Sequence, residues 1–294
     1  MAFQRYLAEE VAIDHADGVL SRREALHRLA LLGLGVPAAS ALLAACGDGD
    51  GGQAPAATSG TAAPSEPAAA TEAVTFPGPE GRTVQGAWAA ADPARGAVLV
   101  IHENRGLNDH IRSVAGRLAA SGYSALAIDL LSAEGGTAAL GDEARAMAAL
   151  SGAPQERFVA DMRAGLDELE RRAPGQKLGA IGFCFGGGMV WTLLASGEPR
   201  LAAAAPFYGP LPDGADFSGS RAAVLGVYAE RDDRVNASRE EAKAALERAG
   251  LTHELVTYPG ADHAFFNDTG PRYDEAAATQ AYAKVLDWFG RYLG

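Results

Sequence analysis

The chain has 294 residues, 48% of them hydrophobic, and its mean hydropathy is close to zero, as is typical of a globular protein. Its formal net charge of −12 argues against a nucleic-acid partner, because nucleic-acid-binding proteins present a basic surface. Only two cysteines are present, Cys46 and Cys184, and no Cys/His cluster has the spacing of a metal site. We therefore expect neither a metal nor another cofactor.

The N-terminal region has the pattern of an export signal. Twin arginines, Arg22 and Arg23, precede an uncharged stretch at residues 29–45. This stretch is interrupted by glycine and proline and is shorter than the roughly 20 residues of a membrane-spanning helix. It is therefore typical of a signal peptide rather than of a permanent anchor. The sequence LAAC, which ends at Cys46, resembles a bacterial lipobox, in which cleavage precedes a lipidated cysteine.

We accordingly predict that residues 1–46 are a twin-arginine-type signal peptide with a lipobox. The mature protein would be an extracytoplasmic lipoprotein of the cell envelope, attached to the membrane by lipid on Cys46. An ordinary signal peptide with a chance cysteine is the alternative. Residues 47–73 consist mainly of Gly, Ala, Pro, Ser, Thr and acidic residues, and they should form a disordered tether because they bury little apolar surface.

From residue 74 to 294 the chain alternates short apolar runs with amphipathic segments, which predicts a single α/β domain with a mostly parallel, doubly wound sheet flanked by helices. The nearly continuous hydrophobicity of the runs is typical of strands buried on both faces. The predicted strands span residues 97–103, 124–131, 177–184, 201–209, 222–230 and 253–260, with an antiparallel edge strand at 84–90. The predicted helices span residues 109–121, 154–172, 237–250 and 274–293.

The stretch GFCFG has the form of a nucleophile elbow, with Cys184 where serine usually stands. It lies where an apolar strand gives way to a helix, which is the context that this turn requires. The turn requires small residues on either side of the cysteine, and these are Gly182 and Gly186. A helix N-terminus carries partial positive charge and favours a thiolate. The alternative is a buried structural cysteine in a tight turn.

Candidate partners for Cys184 follow the next strands in the order of an α/β-hydrolase triad, which runs nucleophile, acid, histidine. Asp232 follows the strand at 222–230, and His263 follows the strand at 253–260. We predict His263 as the general base and Asp232 as the carboxylate that orients its imidazole. Asp233 and Asp262 are less favoured substitutes, and simple helix capping is the alternative role for the aspartates.

These motifs resemble the dienelactone hydrolase family of α/β-hydrolases, which use a Cys-Asp-His triad. The resemblance rests on GFCFGG, ERDDRVNA, YPGADHAFF and VIHENRG and extends from about residue 74 to the C-terminus. It implies a fourth functional residue, Glu103, which matches the family glutamate that takes the proton of the cysteine. The neighbouring His102 is a competing candidate, for which we expect a supporting role.

The predicted function is hydrolysis of small ester or lactone bonds, as in a carboxymethylenebutenolidase. The backbone N–H groups of Phe185 and Asn104 would form the oxyanion hole, the first because of the elbow and the second because of the loop after the strand at 97–103. We expect a small-molecule ester or lactone substrate and a monomer. A broad carboxylesterase or thioesterase acting on envelope or environmental esters, or a non-catalytic binding lipoprotein of the same fold, are the alternatives.

The sequence departs from the family at the position four residues after His263. An arginine that binds the substrate carboxylate is expected there, and this chain has Asn267. Arg105 and Arg272 are the candidate replacements, and both could equally be surface charges. The other expected substrate-binding region, residues 132–154, offers only Arg145. The reaction class is therefore better determined than the substrate.

Overall fold

The computed structural model describes residues 3–47 and 68–294, which are built around one eight-stranded sheet. The strand order is β1-β2-β4-β3-β5-β6-β7-β8. The strands are β1 (Glu72–Pro77), β2 (Thr83–Ala89), β3 (Ala97–Ile101), β4 (Ser124–Asp129), β5 (Leu178–Phe183), β6 (Leu201–Phe207), β7 (Ala223–Ala229) and β8 (His253–Tyr258).

The strand pairings agree with the hydrophobic pattern. β3 to β8 run parallel, whereas β1 and β2 are antiparallel to each other and β2 is antiparallel to β4. Every residue of β3, β4, β5 and β7 is buried, because helices cover these strands on both faces. β8 is half-buried because it is the last strand in the order. The direction of strand order reverses between β3 and β5, where ligands bind in open α/β sheets.

Helices flank the sheet, and several of them contact one another. α4 and α11 are joined through Ser121 Oγ and Tyr282 OH, which lie 3.0 Å apart, while α7 packs against α8. The helices are α1 (Phe3–Ala16), α2 (Arg22–Leu31), α3 (Val36–Gly47), α4 (Asp109–Ala120), α5 (Thr137–Leu140), α6 (Glu143–Gly152), α7 (Gln155–Arg172), α8 (Phe185–Ala195), α9 (Asp233–Asn236), α10 (Arg239–Arg248) and α11 (Glu275–Tyr292), with 3₁₀ turns at Pro79–Gly81 and Ser132–Glu134.

The predicted α/β fold is confirmed, with differences at its edges. β1 begins at Glu72, two residues before the expected start of the domain, and its alternation is too weak to stand out in the sequence. α8 begins at Phe185, directly after the cysteine. Residues 48–67 of the predicted tether lie outside the described residues, and so does the side chain of Cys46.

The N-terminal region forms three helices that pack on the α/β domain. α1 and α2 contact each other, and both also contact α3 and α6. Tyr6, Leu7 and Val11 of α1 are fully buried. Within residues 3–47 and 68–294, no helix combines the length and apolar character that a membrane span requires. The export signal stays a prediction, and the structure shows where this segment lies in the uncleaved chain.

Candidate active site

Cys184 occupies a strained turn between β5 and α8. Its backbone has φ 55° and ψ −118°, a conformation that residues with a side chain rarely adopt. The turn requires glycine on both sides. A Cβ on Gly182 would lie 2.2 Å from the carbonyl oxygen of Gly186, and one on Gly186 would lie 2.3 Å from that of Ile101. The turn therefore holds the thiol at the carboxyl end of the sheet, at the N-terminus of α8.

His263 and Asp232 are joined as the order of the chain predicts. His263 Nδ1 donates to Asp232 Oδ2, and the other carboxylate oxygen of Asp232 accepts from Val235 N at 3.3 Å. Both side chains are almost completely buried. Cys184 Sγ lies within 4.8 Å of a ring nitrogen of His263. The structure therefore brings the thiol, the imidazole and the carboxylate together in series.

The two substitute aspartates lie elsewhere. Asp233 begins the short helix α9, and Asp262 forms an exposed ion pair with Arg231 at 3.6 Å. Neither is the carboxylate that contacts His263. Asp232 also caps α9, so its capping role and its bond to the imidazole coexist in one side chain.

The charge state of His263 is set by its neighbours. Burial by itself lowers the pKa of His263, since it disfavours the imidazolium. The carboxylates of Glu10 and Asp232 oppose this effect, and with Cys184 they raise the pKa well above its ordinary value. This arrangement therefore favours the protonated form of the ring.

Glu103 lies buried beyond the end of β3 and is held by Asn267. Asn267 Nδ2 donates to Glu103 Oε2 at 2.7 Å, and the Asn267 amide oxygen accepts from the backbone and hydroxyl of Thr269. Among the described residues, Glu103 Oε1 has no hydrogen-bond partner. The asparagine that replaces the expected arginine thus fixes one oxygen of Glu103 and leaves the other unbonded.

His102 holds the loop rather than the reacting atoms. The Leu130 N–H donates to His102 Nε2 at 3.1 Å, so Nε2 is unprotonated and Nδ1 donates to the carbonyl of Glu103 at 2.6 Å. The ring is fully buried and stacks on Phe185 with a centroid distance of 6.1 Å. Burial lowers its pKa, which keeps the ring neutral. His102 therefore joins β3 to the end of β4.

The residues predicted to supply the oxyanion hole lie close to Cys184. Phe185 is the first residue of α8, and Asn104 lies in the loop after β3. Asn104 lines the same cavity as Cys184 and His263. The role of Phe185 and Asn104 as oxyanion donors stays a prediction.

The two candidate arginines are near the site, and both contact carboxylates of the chain itself. Arg105 pairs with Glu143 of α6 at 3.3 Å. Arg272 pairs with Asp14 of α1 at 2.9 Å and with Asp17 at 2.6 Å. Both line the cavity beside Cys184. By contrast, Arg145 is largely exposed and pairs with Asp142 at 3.5 Å.

Four residues at the site were missed by the sequence analysis. Tyr6 OH lies 3.4 Å from Cys184 Sγ, and Glu10 Oε1 lies 3.5 Å from His263 Nε2. Arg234 donates to the Glu10 carboxylate and stacks over the Tyr6 ring, 4.2 Å from its centroid. Tyr208 packs against the His263 ring at 5.1 Å. Only Arg234 had a local signal, since it lies two residues after Asp232.

The site also contains a set of possible metal ligands. One atom each from Glu10, Cys184 and His263 lie within 4.8 Å of one another. The charges around them oppose a cation, because the Arg234 guanidinium pairs with Glu10 and the raised pKa of His263 favours its protonated form. These three side chains therefore fit an ion-paired cluster better than a metal site.

A sequence profile of the dienelactone hydrolase family matches residues 84–293. The chain belongs to this family. A Salmonella typhi protein named carboxymethylenebutenolidase is 33% identical over 218 residues, covering 70% of this chain and 80% of the relative. An Escherichia coli protein of the same name is 31% identical over 210 residues, covering 67% of this chain and 77% of the relative.

Solved structures agree with the family assignment. The crystal structure of a dienelactone hydrolase from Klebsiella pneumoniae superposes with a TM-score of 0.66 at 29% identity, covering 76% of this chain and 98% of that enzyme. The predicted family, the α/β-hydrolase fold and the ester-hydrolase class are thereby confirmed. Residues 3–47, which form α1 to α3, lie outside the segment that the family profile matches.

Proposed function

We propose that this member of the dienelactone hydrolase family cleaves small ester or lactone bonds with Cys184 as the nucleophile. The observation that carries the proposal is the strained turn at Cys184, with the His263–Asp232 pair within reach of its sulfur. A structural cysteine has no need of a disfavoured backbone conformation, whereas a nucleophile uses it to project its side chain from the turn.

The reaction starts with attack of the Cys184 thiolate on the carbonyl carbon, which moves one electron pair onto the carbonyl oxygen. The N–H groups of Phe185 and Asn104 stabilise that oxyanion. When the carbonyl re-forms, the alcohol or enol leaving group departs and takes a proton from His263. A thioester remains on Cys184.

Hydrolysis of the thioester completes the cycle. His263 accepts a proton from water, which attacks the thioester and releases a carboxylic acid and the Cys184 thiolate. Asp232 orients the imidazole and stabilises its charged form. Glu103 is the acceptor that we propose for the thiol proton before attack, and its unbonded Oε1 is the atom available for it.

The test compares the wild type with Cys184→Ala and Cys184→Ser on p-nitrophenyl acetate and on a dienelactone. Each protein carries a protease site between residues 60 and 61 and is freed of its N-terminal fragment after folding, because α1 covers Cys184 in the intact chain. We expect Cys184→Ala to lose at least ~100-fold in kcat/KM on both substrates, since no other group forms the covalent intermediate. A variant of the exposed residue Arg145, Arg145→Ala, serves as the matched control. Equal rates for the wild type and Cys184→Ala would remove this cysteine from the mechanism.

We also propose that the chain is exported and attached to the membrane by lipid on Cys46. The support is the sequence pattern alone, namely the twin arginines, the uncharged stretch and the LAAC motif. Globomycin treatment and the Cys46→Ala variant test it. We expect both to block processing and to change membrane association, and unchanged processing at the same position in both would refute the lipoprotein assignment.

A further inference from the structure

One face of α1 is directed at the catalytic residues. Phe3, Tyr6, Glu10 and Asp14 are spaced by three, four and four residues, so their side chains share one side of the helix. The Phe3 ring lies 5.4 Å from that of Phe185, and the next three residues contact Cys184, His263 and Arg272 in turn. The helix therefore runs across the site from the oxyanion side to the arginine side.

These contacts are buried and charge-matched. Glu10 pairs with Arg234, and the side chains of both are less than 10% exposed. Arg234 also donates to the Tyr6 carbonyl at 2.9 Å, and Arg272 pairs with Asp14. Burial of unpaired charges is costly, so each arginine requires an anion in this position. α1 supplies these anions from the same chain.

The docked helix leaves no room for a substrate. The cavity between Glu10, Cys184, His263 and Arg272 has a volume of about 30 Å³. At about 10–15 Å³ per water on this measure, the cavity holds no more than two or three water molecules. Even a small ester such as p-nitrophenyl acetate requires several times this space. Cys184 is correspondingly only 3% exposed.

We propose that α1 is an intramolecular inhibitor, an acidic helix that binds across the active site of the uncleaved chain and must be displaced or removed before ester hydrolysis can occur. The inference rests on the proposed function of Cys184. Cleavage before Cys46, as proposed above for export, would remove residues 1–45 and with them all of α1. The segment that directs the enzyme to export would then also keep the enzyme inactive until the segment is cleaved off.

The first experiment loosens α1 in the full-length protein. The variant Tyr6→Ala/Glu10→Lys changes the two residues that contact Cys184 and His263. The matched control is Arg5→Ala/Glu9→Lys, because Arg5 and Glu9 form an ion pair on another face of the same helix, in which Arg5 is 75% exposed. Two rates are measured: alkylation of Cys184 by iodoacetamide, followed by mass spectrometry of its peptide, and hydrolysis of p-nitrophenyl acetate.

We expect both rates to rise on the order of tenfold or more in the first variant and to stay within about twofold of wild type in the control. A rise in alkylation without any hydrolysis would support the inhibitory helix and refute the proposed function. Unchanged alkylation, or faster alkylation with slower hydrolysis, would overturn the inhibitor and make α1 part of the working site.

The second experiment keeps α1 unchanged and removes it after folding. A protease recognition sequence is inserted between residues 60 and 61 of the full chain, and the N-terminal fragment is withdrawn on a resin through an N-terminal tag. We expect both rates to rise after withdrawal and to fall again when a synthetic peptide of residues 3–20 is added. A depleted protein that stays as slow as the intact chain would refute the proposal.

Discussion

The docking of α1 should weaken as the pH rises, because it is linked to the proton on His263. Four groups face this imidazole: Glu10 from α1, Asp232 after β7, Cys184 at the elbow and the Tyr208 ring after β6. Of these groups, Glu10 leaves with the helix, and part of the burial that lowers the pKa of His263 is relieved at the same time. Because the charges outweigh burial in the docked state, we expect the pKa of His263 to be higher with α1 docked than with α1 released.

This difference in the pKa of His263 sets the direction in which docking depends on pH. A group whose pKa is raised in the docked state contributes stability that is complete below the pKa of the released state and is lost as the pH rises through the docked pKa. The released His263 keeps Asp232, so the window begins somewhat above the ordinary value of about 6.5. Glu10 does not titrate in this window, since His263, Arg234 and Arg272 overcome its burial and lower its pKa to about 2.

The pH dependence of the free energy of docking corresponds to one proton bound by His263. Within the window, docking loses about 1.4 kcal/mol per pH unit, which is a factor of ten in the docking equilibrium. Two pH units should therefore weaken docking on the order of 100-fold. The assay is the affinity of a fluorescent peptide of residues 3–20 for the cleaved and depleted enzyme, measured between pH 6.5 and 9.

The Glu10→Gln peptide is the matched control, because a neutral amide does not interact with the imidazolium charge. We expect its affinity to be lower and nearly independent of pH in the same range. An identical pH slope for the wild-type peptide and the Glu10→Gln peptide would refute the linkage between this carboxylate and His263. The group that titrates would then lie elsewhere.

The remaining predictions concern the catalytic turn and its supports. Gly186→Ala should destabilise the fold by about 1–3 kcal/mol in urea unfolding, because its Cβ meets backbone at 2.3 Å, whereas Gly152→Ala, which meets nothing within 4 Å, should be tolerated. Asn267→Leu should cost about 1–3 kcal/mol in the same assay by leaving Glu103 without its donor. Asp232→Asn should lower kcat of the depleted enzyme by up to ~10⁴-fold with thermal stability nearly kept; an unimpaired kcat would contradict its orienting role.

The sequence by itself determined the family domain and its catalytic triad candidates. Strands buried on both faces form continuous apolar runs, and such runs can be recognised without knowing what covers them. Cys184, Asp232 and His263 each lie within five residues after the end of a parallel strand. Since parallel strands end at one edge of the sheet, their positions in the chain were sufficient to bring them together.

Choosing among neighbouring groups needed the tertiary structure. The sequence favoured Asp232 and kept Asp233 and Asp262 as substitutes, and the path of the loop after β7 brings Asp232 into contact with His263. The sequence showed that Asn267 stands where the family has an arginine. It did not show the hydrogen bond from Asn267 to Glu103, because these residues are 164 positions apart.

The position of the N-terminal helix was decided by tertiary structure alone. The twin arginines and the uncharged stretch drew attention to residues 22–46, and the 3-4-4 spacing of Phe3, Tyr6, Glu10 and Asp14 indicates a helix face without indicating its partner. An amphipathic pattern gives the side of a helix that is buried, but the surface that buries it depends on contacts more than 150 residues away along the chain. Those contacts place α1 over Cys184.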